Sequence, residues 1–134
     1  MKNLLRLEEA AQFLFCLGWL ITFHAPWWCY PLLLLGPDIS MLGYLVDARL
    51  GAICYNTFHH KGLALVAVLI GVQLSPDIFD VPVYMFTGII LYGHASMDRI
   101  FGYGLKFGDN FHHTHLGWIG KGKAPSPEVT KTSA

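Results

Sequence analysis

Three stretches of this chain, residues 10–37, 62–76 and 81–97, contain no Asp, Glu, Lys or Arg. A water-soluble domain turns charged side chains outward, and segments this long without one cannot supply that surface. Charged residues make up 13% of the 134 and hydrophobic ones 54%, so the expected solvent is a bilayer. A bilayer core takes about 20 mostly apolar residues per helical span. Four segments qualify, at about 4–23, 27–46, 49–74 and 81–103. Pro37 lies inside the second, where a proline packed among other helices produces a kink rather than an end. Short connections favour antiparallel neighbours. The expected fold is therefore all-α: a polytopic antiparallel four-transmembrane-helix bundle, kinked near Pro37. Residues 1–119 form one integral membrane domain with a cytoplasmic loop at 104–119, and 120–134 form a disordered cytoplasmic tail.

Lys2, Arg6, Arg49, Arg99, Lys106, Lys121, Lys123 and Lys131 all fall on the side of the bundle that holds the N-terminus, and the opposite connections carry none. The positive-inside rule then places both termini in the cytoplasm of a multi-pass inner-membrane protein. Glu8 and Glu9 sit where a cleaved signal peptide would carry none. Net charge is zero, and without a basic patch nucleic acid is excluded as the main partner. Membrane lipids are the expected partners, with a homo-oligomer left open. The three cysteines, Cys16, Cys29 and Cys54, lack CxxC spacing and read as packing residues.

Within those spans the ionisable residues converge in depth. Asp38 lies near the middle of the second, Asn56, His59 and His60 in the first half of the third, and His94 and Asp98 towards the cytoplasmic end of the fourth. Glu8 and Glu9 enter the first from the same side. A charged side chain at the bilayer centre costs about 2.5–3.5 kcal/mol on the lenient scale, so such groups need each other, a metal or water. His94 and Asp98 are i,i+4, as are Asn56 and His60, the spacing from which helical bundles build carboxylate–histidine metal sites. The expected ligands of a divalent ion (Zn, Fe or Mn) are Asp38, His59, His94 and Asp98. Glu8 would serve as a fifth ligand or general base and Asn56 as a donor to the ligands. Arg99 and Lys106 would hold an anionic head group. If the chain is an enzyme, this chemistry suits hydrolysis of a lipid-like substrate. The alternatives are interhelical hydrogen bonding without function, a b-type haem between His59 and His94, and an ion or proton path. Lys61 snorkels, pairs with an acid, or marks a misplaced span. The roles of His60, His112, His113 and His115 stay open, and Gly43, Gly51, Gly88 and Gly93 read as close-packing positions.

RLEEA, PDISMLGY, YNTFH, HASMDRIFGYGLK and THLGWIG, in that order over about residues 6–120, resemble the small bacterial membrane-protein family known as domain of unknown function 4260. The resemblance brings no activity with it; it implies that the marked polar positions are Glu8, Asp38, Asn56, His59, His94, Asp98, Arg99, Lys106 and His115. A more distant likeness is to membrane-bound metal-dependent hydrolases with a PD-x-D motif. Pro37–Asp38 matches its start, while Ser40 stands where the second acid would be.

Overall fold

The computed structural model describes residues 1–75 and 83–120. Helix α1 spans Lys2–Thr22 and α2 Cys29–Leu35. The chain then tightens into a ten-residue 3-10 helix, Gly36–Leu45, followed by α3 (Ala48–His59), α4 (Lys61–Leu74) and α5 (Val83–Ile100). The last described segment holds a two-stranded antiparallel hairpin, β1 (His113–Thr114) and β2 (Gly117–Trp118), with a further bridge from Lys106 to Thr114. Helix α5 is the hub: it packs against α1, α2, α3 and α4, while the 3-10 helix lies along α3.

Small residues set those approaches. A Cβ on Gly88 would stand 2.6 Å from the Ala64 carbonyl oxygen and 2.7 Å from the Val68 nitrogen, so α5 touches the backbone of α4. A Cβ on Gly93 would meet Leu33 at 2.7 Å and Cys16 at 2.9 Å, which joins α5 to α2 and α1. Gly43 and Gly51 similarly let the 3-10 helix lie on α3. Cys16 and Leu20 of α1, Cys29 and Leu33 of α2, and Phe86, Ile89 and Ile90 of α5 form the core, and the cysteines are free.

Several sequence expectations need correction. Among the described residues no single helix is long and apolar enough to cross a membrane; only the pair α3–α4, bent by 46°, has the length and composition together. The expected second span is two elements, because Pro37 lacks an N–H and the α-type pattern stops at Leu35. The expected third breaks at His60, whose extended backbone ends α3 and whose ring accepts from the Leu63 N–H to cap α4. Helix α1 has the length but carries Lys2, Arg6, Glu8 and Glu9. The expected loop 104–119 is partly built as the hairpin, where a hydrogen bond from the His113 ring holds the Asp109 carboxyl below its ordinary range. The connection before the fourth expected span, that span's first two residues and the tail beyond Gly120 lie outside the described residues.

Candidate metal centre

Four side chains from three elements meet beside α5. Asp38 comes from the first turn of the 3-10 helix, His59 from the last turn of α3, and His94 and Asp98 from successive turns of α5. One ligand atom from each lies within 4.8 Å of all the others. His59 Nε2 is 3.6 Å from Asp38 Oδ1 and 3.3 Å from Asp98 Oδ2. His94 Nε2 is 3.4 Å from Asp38 Oδ1 and 3.7 Å from Asp98 Oδ1. Both imidazoles are buried and Asp98 nearly so; Asp38, 35% exposed, is the open side of the group.

The backbone decides how the imidazoles face. In α2 the carbonyl of Leu33 would be met by the N–H four residues on, but that residue is Pro37. His94 Nδ1 occupies the vacancy, 3.0 Å from the Leu33 oxygen, and so donates its proton there. His59 Nδ1 lies 2.8 Å from the Tyr55 carbonyl oxygen, one turn earlier on α3, and donates likewise. Both rings thus present Nε2 to the two carboxylates, the way a metal-binding histidine is held in place by a carbonyl behind it. His59 Nε2 is buried and makes no hydrogen bond, although Asp98 Oδ2 is close. Tyr55 stacks on the His59 ring at 3.7 Å and donates its hydroxyl to Asp98 Oδ2 at 2.6 Å.

This donor set fits a divalent ion. Two imidazole nitrogens and two carboxylates converge with one atom from each within 4.8 Å of all the others, a mix of donors that zinc, iron and manganese accept. Haem does not fit, because the Asp38 and Asp98 carboxylates lie where a macrocycle between His59 and His94 would have to go, and the two rings meet edge to face at 5.0 Å.

The other expected site residues are placed elsewhere. Glu8 is exposed and accepts a 3.4 Å hydrogen bond from Gln12, so it is neither a ligand nor a base at the cluster. Its neighbour Glu9 faces inward, pairs with Lys61, and lies 3.7 Å from Arg99; Lys61 also donates to Gln12, which accepts from the Tyr92 hydroxyl. Asn56 does not touch the ligands. Its carboxamide accepts from the Lys106 N–H at 2.7 Å and donates to the Lys106 carbonyl at 2.8 Å, pairing with one residue of the loop as a neighbouring strand would. Lys106 is buried rather than presented to a head group: its ammonium donates to the Phe111 carbonyl and lies over the Phe111 and Tyr55 rings. Ser40 donates to the Pro37 carbonyl at 2.7 Å and adds no ligand. Sequence reasoning overlooked Tyr55, although its i,i+4 spacing to His59 was available as a signal.

The family model for Domain of unknown function (DUF4260) matches residues 2–119. The chain belongs to that family. The match covers every described residue of the cluster and of the hairpin. No curated protein and no solved structure matches the chain. Nothing in these comparisons supports the distant hydrolase likeness. The family is identified by sequence, while the candidate site is identified by the geometry above.

Proposed function

We propose that this family member is an integral membrane protein that holds one divalent metal ion through Asp38, His59, His94 and Asp98. The carrying observation is the spacing of the cluster. An imidazolium facing a carboxylate closes to about 2.7–2.9 Å, and the Tyr55–Asp98 bond at 2.6 Å shows that this site readily makes short contacts. The imidazole–carboxylate separations nevertheless stay at 3.3 Å or more. Two imidazoles whose Nδ1 groups are committed to backbone carbonyls turn Nε2 towards two carboxylates, a donor set that suits a divalent ion.

When bound, such an ion lowers the pKa of a coordinated water towards about 7 and polarises a carbonyl or phosphoryl oxygen, which makes hydrolysis of a membrane-delivered ester or phosphoester the reaction class the site suits. The chain's own contribution is to orient the ligands. Leu33 and Tyr55 carbonyls fix the two rings, the Tyr55 hydroxyl steadies Asp98, and Asp38 leaves the approach open. Membrane insertion is supported by the exposed apolar side chains Leu65, Val66, Leu69, Ile70 and Val72 of α4, a surface that water does not favour, and by the one-sided placement of basic residues.

Elemental analysis of the detergent-purified protein tests the reading. One equivalent of a transition metal is expected in the wild type, lost in His94→Ala, and held about 10–100-fold more weakly in Tyr55→Phe, which keeps every ligand. A metal-free wild type, folded and unresponsive to added Zn, Fe or Mn, would overturn the reading.

A further inference from the structure

On a different face of α5 from the metal cluster, where the start of α1 meets the end of α5 and the hairpin, is a cavity of about 690 Å³. Its wall includes Lys2, Arg6, Arg99, His115 and a single acid, Glu9. That acid is already shared between Arg99 and the inward Lys61, so the wall carries three cations against one committed carboxylate. Lys2 and Arg6 have no acidic partner among the described residues. His115 adds a neutral donor: its Nδ1 accepts from the Leu105 N–H at 2.8 Å, which leaves the ring proton on Nε2. Exposed Leu5, Phe101 and Leu116 complete the wall with apolar surface.

An excess of positive charge around an open cavity, with guanidinium forks and an imidazole N–H, matches the several acceptor oxygens of a phosphate. We infer that this cavity is a binding site for a phosphate group, separate from the metal ligands and independent of whether the metal reading holds. The chemistry is shared by two sources, the phosphomonoester head of an anionic lipid and free phosphate. The flanking leucines and phenylalanine suit the lipid.

The test is calorimetric titration of the full chain in detergent with short-chain phosphatidic acid, with short-chain phosphatidylcholine and with inorganic phosphate. Binding of phosphatidic acid, with phosphatidylcholine silent, is the expected result; equally tight binding of inorganic phosphate would support the site and assign it to the soluble source. Lys2→Gln/Arg6→Gln, both exposed positions, should weaken the interaction about fivefold per cation, roughly twenty-five-fold together, with metal content and helical signal unchanged. Silence of both phosphate probes, equal binding of phosphatidylcholine, or a double variant that binds as the wild type does would overturn the inference.

Discussion

Asn56→Ala separates a ligand-supporting role from a loop-anchoring one. The carboxamide makes two hydrogen bonds to Lys106, at 2.7 and 2.8 Å, and Lys106 is buried. Each such bond has a net worth of about 1 kcal/mol, and a buried partner left unpaired costs about 1–3 kcal/mol. Losing both therefore weakens the hold on the segment by about 2 kcal/mol if water reaches the freed groups, and by about 4 kcal/mol if one of the two stays dry and carries the full penalty. At 1.4 kcal/mol per decade the segment would open roughly thirty to a thousand times more often. The effect should stay local, because the hydrophobic core is built from α1, α2 and α5. Hydrogen exchange read by mass spectrometry should show faster exchange across 105–115 and unchanged protection in α5, with the metal content of the wild type. Unchanged exchange in that segment would refute the anchor; metal loss as large as in His94→Ala would restore Asn56 to the ligand environment.

Glu9→Leu leaves the part-buried Lys61 and Arg99 without their carboxylate and should destabilise the fold by about 1–3 kcal/mol, whereas Glu9→Leu/Lys61→Met should recover most of it; denaturation in mixed micelles decides, and no recovery in the double variant would count against the pairing. Gly88→Ala drives a Cβ to 2.6 Å from the Ala64 carbonyl and should cost about 1–3 kcal/mol, while Gly18→Ala, with nothing within 4 Å, should be neutral or gain up to about 1 kcal/mol. Burial holds the Lys106 ammonium down to about 8 from an ordinary 10.5. Between those values the unfolded chain binds the extra proton, so stability should rise with pH from about 8 to about 10.5. Lys106→Met should flatten that slope; an equal slope in the variant would assign it to another group.

Grouping was the part of the site that a sequence can reveal. Position along the apolar runs groups Asp38, His59, His94 and Asp98, which the fold does bring together, and the i,i+4 pair on α5 puts two of them on one face. The close-packing glycines were also visible, since a small residue in a helical run has few other uses. The helix breaks were not. Nothing local requires Gly36–Leu45 to tighten into a 3-10 helix, a form that rarely runs so long. The bend at His60 left only a hint: His59, His60, Lys61 and Gly62 interrupt the apolar run, and hydropathy alone does not separate such an interruption from a polar patch on a continuous helix. The Asn56–Lys106 pairing joins residues fifty apart through a loop that has no periodicity to read.

Position along a helix says nothing of azimuth, and azimuth is what divides the polar residues at this end of α5. The last turn of α5 carries Asp98 and Arg99 in succession, and consecutive residues on a helix point about 100° apart. Asp98 turns to the side of α3 and the 3-10 helix, where it meets His59 and Tyr55. Arg99 turns to the side of α1, where it meets Glu9 and through it Lys61. What looked like one polar cluster is therefore two, on different faces of α5: an acid-and-imidazole group with the Lys106 ammonium beside it, and a cationic group with a single acid, Glu9. Glu8 and Glu9 share their depth with the first group but belong to the helix that faces the second. The separation also gives the two groups opposite appetites, one for a cation and the other for an anion, and it predicts that variants on one side of α5 leave ligand binding on the other unchanged.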